Sequence, residues 1–490
     1  MSIDVIAKLK QAASDPGRVW LAGGLAGGSV TYAGLLAETG RLANALESLG
    51  LQKGDRLLLQ VEKCEAVLSL YLACLRAGVV FLPVNPGYTA VETAHFLTDA
   101  EPALAVTDPG RLEDLASRGA RAMALPELMD LAARQGAAFD DPAHSPDDLA
   151  AILYTSGTTG RSKGVMLSRM NLASNAEALV GLWRFSEADV LLHALPVFHT
   201  HGLFVATNCV LYSGASMIFQ RGFVPAAVLA ALPGATVMMG VPTFYTRLLG
   251  DPGLTREACT GVRLFISGSA PLSPATHAAW QDRTGHAILE RYGMTETNMI
   301  TSNPHDGARK AGTVGMPLPG VEVRITGPEG VLRPGEAGAI EVRGPNVFKG
   351  YWRLPEKTAE EFRDGWFVTG DMGAFDAEGY LSILGRAKDL VITGGLNVYP
   401  AEVEAALDAL PGVAASAVIG VPHPDFGEAV VACVVGKVEP AAVREALRER
   451  LAAFKIPKRV IVLDDLPRNA MGKVQKAELR RVHAGLFKGG

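Results

Sequence analysis

Short apolar runs alternate with amphipathic stretches through the first third of the chain. The pattern predicts helix 31–49, strand 56–61, helix 64–77, strand 79–83, helix 92–99 and strand 103–107. Strands separated by helices are typical of a parallel sheet with right-handed crossovers. Residues 142–148 are polar and rich in proline and aspartate, which indicates a linker.

A second alternating series runs from about residue 171 to 293, with predicted strands 190–195, 216–219, 236–239 and 262–267. Glycine and proline then punctuate short β runs at 321–325, 339–343 and 381–384, as in a small antiparallel barrel or sandwich. An apolar strand and helices around 401–410 and 441–453 follow Gly385 and indicate a separate small domain. The predicted fold class is therefore α/β with two doubly wound parts, a small β-barrel and a small C-terminal α+β unit.

The composition narrows the classes of function. The 490 residues are 48% hydrophobic and 20% charged, with a net charge of −5, which argues against a nucleic-acid-binding surface. The five cysteines form no CxxC pair, so reduced thiols are expected rather than a zinc site or a disulfide framework. We find neither the apolar core of a signal peptide nor a membrane span, and so expect a cytoplasmic protein without membrane partners.

A glycine-rich loop between two apolar runs, residues 154–164, is the first candidate for chemistry. It combines three glycines, two cations and several hydroxyl side chains, which suit the wrapping of a polyphosphate by backbone N–H groups. Its spacing is not that of a Walker A loop. The alternative interpretation is a solvated hairpin turn.

A second motif, residues 290–297, follows an apolar strand. Tyr292 could stack on adenine, Thr295 could hold a phosphate oxygen, and Glu296 could bind Mg²⁺. The alternative is a helix N-terminus capped by Thr295. Two further turns fit a nucleotide: the small residues 267–272, and Thr369-Gly370-Asp371, whose carboxylate can accept both ribose hydroxyls. Each of these turns is also common without a ligand.

Two histidines and two arginines are further candidates for contact with a ligand. His199 and His201 have a spacing that suits a metal, but no third ligand is visible. Arg247 stands in an otherwise apolar stretch and Arg291 just before the tyrosine motif, which indicates recognition of a carboxylate. The alternative is that each arginine pairs with an internal Asp or Glu. Lys473, in a polar loop, would ordinarily be solvated surface.

The order of these motifs, continued by Gly385-Arg386-Ala387-Lys388-Asp389 and by residues 467–474, resembles the adenylate-forming enzymes. That superfamily contains acyl-CoA synthetases, peptide-synthetase adenylation domains and luciferases. The segments 199–202, 243–247 and 290–297 in combination resemble the malonyl-CoA synthetases, and the resemblance extends over most of residues 29–480. It implies an AMP-binding domain, residues 1–386, and a mobile C-terminal domain, residues 387–490, that carries a catalytic lysine.

The resemblance also implies a reaction: ATP-dependent ligation of malonate to coenzyme A through malonyl-adenylate, with methylmalonate as a further candidate. Alternatives are a ligase for another small acid, a stand-alone amino-acid adenylating enzyme and a non-catalytic nucleotide-binding relative. The implied partners are the small molecules malonate, ATP, Mg²⁺ and CoA, with no nucleic acid. By the same resemblance Lys473 would be a target of reversible acetylation, with a lysine acetyltransferase and a deacetylase as partners.

The residues expected at each site complete the hypothesis. The nucleotide site is assigned Thr155, Ser156, Gly157, Thr158, Thr159, Lys163, Gly268, Ser269, Ala270, Glu290, Arg291, Tyr292, Gly293, Met294, Thr295, Asp371, Arg386 and Lys473. The malonate site is assigned His199, His201, Arg247, Ser267, Arg291 and Met294. The catalytic residues would be Lys473, Glu296, Thr155 and His199, with Glu296 and Thr155 at Mg²⁺. Lys388 would be the hinge, and Gly394, Gly395 and Leu396 would meet CoA.

Overall fold

The computed structural model describes residues 4–25, 27–155, 162–469 and 472–487. Within them, the first series of predicted elements forms a six-stranded sheet. Its order is Ala122–Ala124, Leu104–Thr107, Arg56–Gln60, Val80–Pro83, Leu149–Thr155 and Lys163–Ser168, and only the last pair is antiparallel. The helices of this part are Tyr32–Ser48, Glu65–Ala77, Ala90–Ala100, Leu112–Ala116 and Leu125–Ala133. The predicted elements are confirmed to within two residues at their ends.

The second series forms a nine-stranded sheet. Its order is Met316–Pro317, Asn298–Ser302, Leu289–Met294, Leu264–Ser267, Val237–Gly240, Val190–His193, Ser216–Phe219, Val19–Gly23 and Val30–Thr31. The strands from Leu289–Met294 to Val19–Gly23 are parallel. The helices are Val5–Ala13, Arg169–Trp183, Thr207–Ser213, Pro225–Ala231, Pro242–Leu249 and Pro274–Thr284, and His201–Ala206 is π-helical. The four predicted strands are confirmed.

A third, antiparallel sheet occupies the segment rich in glycine and proline. Its order is Gly330–Val331, Glu322–Gly327, Gly338–Arg343, Trp366–Phe375 and Phe362–Arg363, with Leu381–Arg386 also paired to Trp366–Phe375. The short helix Pro355–Glu360 directly precedes the edge strand Phe362–Arg363. The antiparallel pairing that the sequence predicts here is confirmed.

The C-terminal segment forms a sheet of its own. Its strands run Leu396–Val398, Val391–Thr393, Gly427–Gly436 and Val413–His423, with Arg459–Leu463 parallel to Gly427–Gly436. The helices are Pro400–Asp408, Pro440–Arg448 and Lys476–His483. The helix predicted over 441–453 ends five residues early, because Leu447 is its last fully buried position and the chain then turns. The domain boundary at 386 stays a prediction.

The cores follow from these layers. One large apolar cluster is shared by both parallel sheets and the third sheet, whereas residues 391–487 form two clusters among themselves. In the part of the chain that the structure describes, no helix has both the length and the apolar content needed to cross a bilayer. The carboxyl ends of Val190–His193, Val237–Gly240 and Leu264–Ser267 lie along one edge, which is where parallel sheets bind ligands.

Gly40, inside the helix Tyr32–Ser48, tests whether close packing outweighs helix propensity. A Cβ on Gly40 would lie 1.9 Å from the carbonyl oxygen of Ala137, whereas a Cβ on Gly181, in the helix Arg169–Trp183, meets nothing within 4 Å. Alanine is favoured over glycine in a helix by about 1 kcal/mol, and overpacking costs about 1–3 kcal/mol. We therefore expect Gly40→Ala to lower the thermal midpoint of unfolding and Gly181→Ala to raise it, as measured by calorimetry. A higher midpoint for Gly40→Ala would contradict this account.

Candidate active site

The site lies where strand Leu264–Ser267 ends and the backbone turns sharply. Gly268 follows the strand, and Ser269 adopts a left-handed conformation with φ of 70°, which is uncommon outside glycine. The turn brings the Ser269 hydroxyl to 3.2 Å from Nδ1 of His201. Two segments that the sequence separates by 68 residues are thus joined at the edge of the sheet.

The tyrosine motif is a β-hairpin. Residues 290–294 lie within strand Leu289–Met294, which pairs antiparallel with Asn298–Ser302. The alternative of a helix N-terminus capped by Thr295 is therefore wrong, because the chain folds back instead of continuing. Gly293 is required by this hairpin, since a Cβ there would lie 1.9 Å from the carbonyl oxygen of Asn298. The hairpin presents Thr295 and Glu296 at its tip.

Three residues of the predicted nucleotide site form a hydrogen-bonded cluster. The Tyr292 hydroxyl donates to Oδ2 of Asp371, and Nε of Arg386 lies 2.9 Å from Oδ1 of the same carboxylate. Arg386 also donates to the Thr369 carbonyl oxygen, at 3.0 Å. Burial raises the pKa of Asp371, and the Arg386 guanidinium opposes that shift. The carboxylate is thereby held in a fixed orientation with its charge balanced.

Glu296 is buried, at 5% exposure, beside Tyr351. The Tyr351 hydroxyl lies 3.1 Å from Oε1 of Glu296, and burial raises the pKa of Glu296. Lys163 Nζ lies 4.0 Å from the centroid of the Tyr351 ring. The Thr155 hydroxyl donates to the Lys163 carbonyl oxygen at 3.5 Å, so Thr155 lies beside Lys163.

The donor set around Glu296 fits magnesium. A buried carboxylate with a raised pKa is stabilised by a nearby cation, and Mg²⁺ is commonly held by one or two carboxylates together with substrate phosphates. Among the described residues no group of three or more His, Cys, Asp or Glu side chains could hold a metal without such a substrate.

Arg291 is the most unusual side chain of the site. It is 2% exposed, and its Nε and Nη2 atoms have no hydrogen-bond partner in the described ranges. Its guanidinium packs on Gly268, where a Cβ would lie 2.5 Å from both Cζ and Nη1. Burial lowers the pKa of Arg291 to about 9. The alternative that Arg291 pairs with an internal carboxylate is therefore not realised in this part of the structure.

Further unpaired polar atoms belong to the residues beside Arg291. Nε2 of His201 and the hydroxyl of Ser267 are buried without a partner among the residues described. Burial and the charges of Lys473 and Arg291 lower the pKa of His199 to about 3, so this ring is neutral. Buried donors without acceptors cost free energy, and a bound anion would satisfy them.

Lys473 reaches this site from the C-terminal segment. Its backbone N–H donates to Oδ1 of Asn469 at 3.0 Å, which shapes the loop. The adjacent Gly472 lies against Thr243, since a Cβ on Gly472 would be 3.5 Å from the Thr243 hydroxyl. The Lys473 side chain is exposed to solvent at one side. Desolvation by the surrounding protein and the charge of Arg386 lower the pKa of Lys473, and the Asp371 carboxylate opposes this shift.

Arg247, the other arginine assigned to the acid site, keeps that assignment as a prediction. It lies on the helix Pro242–Leu249 and is exposed, whereas Tyr245 and Leu248 of that helix are buried. Two residues correspond to about 200° around a helix, so Arg247 points away from the face that Tyr245 packs inward. Thr243, four residues before Arg247, lies on the same face of the helix and against Gly472, so this face borders the loop that carries Lys473.

The structure places the other predicted residues as follows. Met294 and Ala270 are partly buried near the hairpin and the turn. Lys388 is in the turn Ala387–Asp389, where burial lowers its pKa. Gly394, Gly395 and Leu396 form the exposed tip between Val391–Thr393 and Leu396–Val398. Ser156, Gly157, Thr158 and Thr159 lie outside the described residues.

Tyr351 is a residue of the site that no sequence motif predicts. Its hydroxyl is the hydrogen-bond donor to Glu296, 55 residues away, and its ring faces Lys163. The tyrosine sits in a Gly-Tyr-Trp run without a recognisable motif, so only its position in space reveals the contact.

Two family models and several known proteins are similar to this chain. Residues 9–352 match the family model of the AMP-binding enzymes, and residues 402–473 match the model of the AMP-binding enzyme C-terminal domain. The chain is 38% identical over 468 residues to a feruloyl-CoA synthase from an Amycolatopsis species, covering 93% of this chain and 94% of that one. It is 35% identical over 489 residues to a malonate–CoA ligase from Arabidopsis thaliana, covering 90% and 80%.

The solved structures of MatB from Rhodopseudomonas palustris are similar over the full length of both chains, at 55% identity. The TM-score is 0.96 for ATP-bound MatB and 0.86 for apo MatB. The arrangement in this chain, with the Lys473 loop against the site, is thus more similar to the ATP-bound form.

Glu290 gives a prediction on pH. It is 6% exposed, and burial raises its pKa from an ordinary 4.5 to about 8. Between these values the folded state keeps a proton that the unfolded state releases, so stability falls as the pH rises from about 4.5 to 8. Glu290→Gln cannot ionise, and we expect it to flatten this part of the dependence of thermal midpoint on pH.

The control for Glu290→Gln is Glu329→Gln, which changes an exposed carboxylate in a loop. It should follow the parent protein between pH 5 and 8. Parallel curves for the parent and Glu290→Gln would show that Glu290 is ionised in the folded state.

Proposed function

The chain belongs to the family of AMP-binding enzymes and is an adenylate-forming acid–CoA ligase that uses ATP, Mg²⁺ and coenzyme A; we propose that its acid is malonate. The reaction would give malonyl-CoA, AMP and pyrophosphate. The relatives reported above are named for different acids, since one is a feruloyl-CoA synthase and the other a malonate–CoA ligase. The choice among acids therefore rests on the side chains of the pocket.

The unpaired guanidinium of Arg291 carries the proposal. A buried cation without an internal carboxylate is costly, and a substrate with a second negative group would supply the missing partner. Malonate has one carboxylate to react and one left to pair. Ferulate or acetate would leave Nε and Nη2 of Arg291 unsatisfied, since neither offers a second anion to a donor fork.

The unpaired Nε2 of His201 and the hydroxyl of Ser267 support a small, anionic occupant. Both can donate to the same carboxylate as Arg291. The pocket therefore favours a short dicarboxylate over a long acyl chain. A sulfonate could also pair with the guanidinium. Comparing the rates with malonate and with sulfoacetate distinguishes the two anions.

The nucleotide would be oriented by the hydrogen-bonded cluster on the other side of the hairpin. Asp371, already fixed by Arg386 and Tyr292, has the geometry to accept ribose hydroxyls. Lys163 and Thr155 lie where phosphate oxygens would be held. Bound beside Glu296, Mg²⁺ would neutralise charge on the phosphates.

Lys473 would serve the first half-reaction. A carboxylate oxygen of malonate attacks the α-phosphorus of ATP, a P–O bond forms, and the bond to the leaving pyrophosphate breaks. Negative charge accumulates on the phosphate oxygens, and a cation beside them stabilises the transition state. In the second half-reaction the CoA sulfur, having lost its proton, bonds to the malonyl carbonyl carbon and AMP leaves.

The two half-reactions need different occupants at one place. Arg386 is held to the third sheet by its ion pair with Asp371. On the other side, Arg480 of the helix Lys476–His483 forms an ion pair with Asp389. Ala387 and Lys388 are left between these two anchors. A rotation of the C-terminal segment about Lys388 would withdraw Lys473 and bring residues 394–396 towards CoA.

The first prediction of this proposal concerns the acid. Pyrophosphate release from the parent enzyme should be fastest with malonate or methylmalonate in a panel that also contains acetate, succinate, ferulate and sulfoacetate. Arg291→Ala should lower kcat/KM for malonate by roughly two to four decades, because breaking a buried ion pair costs about 3–5 kcal/mol. The KM for ATP should change little.

Arg134→Ala is the matched control, since it removes an exposed arginine at the C-terminal end of the helix Leu125–Ala133. It should retain the malonate activity of the parent. Equal kcat/KM for acetate and malonate in the parent enzyme would refute the proposal.

The second prediction separates the half-reactions. Lys473→Ala should fail to form malonyl-adenylate from ATP, yet should convert supplied malonyl-adenylate and CoA to malonyl-CoA at near the parental rate. Acetylation of Lys473 removes the same charge and should have the same effect. Single-turnover kinetics of each half-reaction is the measurement. If Lys473→Ala slows both halves equally, the lysine acts throughout and the domain alternation is absent.

A further inference from the structure

Lys63 is a buried lysine that the reaction described above does not use. It lies between the strand Arg56–Gln60 and the helix Glu65–Ala77 and is 7% exposed. Its Nζ lies 3.1 Å from Nδ1 and 3.0 Å from the carbonyl oxygen of His193, and 4.2 Å from the centroid of the Phe219 ring. No carboxylate of the described segments forms an ion pair with it. Burial lowers the pKa of Lys63 well below its ordinary range.

The contacts of His193 define which ring nitrogen carries its proton. Nε2 lies 2.9 Å from the carbonyl oxygen of Gly202, and a carbonyl only accepts, so Nε2 is the donor. Burial lowers the pKa of His193, and its ring is therefore neutral. Nδ1 must then accept, and Lys63 is its donor. The lysine selects one tautomer of the histidine, which in turn holds the Gly202 carbonyl.

Gly202 is fixed from two further sides. The Thr207 hydroxyl donates to its carbonyl oxygen at 3.0 Å. Its α-carbon packs on the Pro196 backbone, where a Cβ would lie 2.0 Å from the Pro196 carbonyl oxygen. Gly202 is the second residue of the π-helical segment His201–Ala206, and such segments are frequent at functional sites.

His201 is the first residue of that segment and borders the pocket. Its Nδ1 contacts the Ser269 hydroxyl, and its Nε2 is buried without a partner in the described structure. The direction of Nε2 depends on the backbone at residues 201 and 202. A chain of contacts therefore runs from Lys63 through His193 and Gly202 to the ring of His201.

We propose that Lys63 is a positioning residue for acid binding, which acts through His193 on the orientation of His201. This inference rests on the proposed function, in that it takes the pocket of Arg291 and His201 as the acid site. The lysine follows a strand of the six-stranded sheet and His193 ends a strand of the nine-stranded sheet, so the contact also links the two sheets at the pocket. An apolar side chain of similar length would fill the space without burying an amine, yet would leave Nδ1 of His193 unsatisfied.

The test is Lys63→Met. We expect the KM for the acid to rise ~10-fold, the size of one buried hydrogen bond, while the KM for ATP stays within about twofold. Lys63→Gln keeps a donor on a shorter chain and should restore part of the acid binding.

Arg76→Met is the matched control. Arg76 is 3% exposed, and its hydrogen bonds go to Asp141, Leu36, Thr39 and Phe139, none of which belongs to the site. Both Met variants should lower the thermal midpoint, but only Lys63→Met should raise the KM for the acid while leaving the KM for ATP unchanged. If Lys63→Met raises the KM for acid and ATP in the same proportion, or raises neither, Lys63 has a structural role only.

The acid used is the one that the parent turns over fastest in the panel. If that acid is not malonate, the proposed substrate is wrong, while the comparison of Lys63→Met with Arg76→Met still decides the role of Lys63.

Discussion

A buried cation without an internal partner is the constraint on which the site depends. Arg291 lies in the strand Leu289–Met294, packed on Gly268, with donors that no described side chain satisfies. A folded protein tolerates such a group when its partner arrives with the ligand. The absence of side-chain bulk at Gly268 makes room for the guanidinium, and the buried hairpin keeps it from reaching solvent.

The rest of the site is arranged around the same hairpin. Tyr292 turns to the opposite side from Arg291, because successive residues of a strand alternate, and it binds the Asp371 carboxylate. Glu296 lies at the tip of the hairpin and contacts Tyr351. One strand and its turn thus separate a pocket of unpaired donors from a cluster of paired charges, which are the surroundings expected of an acid and of a nucleotide.

Lys473 and Lys63 represent two ways in which distant segments act on this pocket. Lys473 comes from a segment with its own sheet and its own apolar clusters, so the withdrawal proposed above would leave the main core undisturbed. Lys63 is enclosed between two sheets that share one core, so its contact with His193 belongs to the fixed part of the structure. A movable cation suits a charge that appears in one step only, whereas a fixed one suits the orientation of a ring that must remain in place.

The amino-acid sequence by itself determined the order of strands and helices, because apolar periodicity and turn residues are local signals. It also indicated that Tyr292, Asp371 and Arg386 belong to one site, since each lies in a recognisable motif, and the structure brings the three side chains together. The tertiary structure alone decided three matters. Arg247 faces solvent because the rotation of its helix depends on what Tyr245 packs against. The strand Val19–Gly23 joins the nine-stranded sheet beside Ser216–Phe219, a pairing across almost two hundred residues. The contacts of Tyr351 with Glu296 and of Lys63 with His193 depend on distances between segments, which no local pattern encodes.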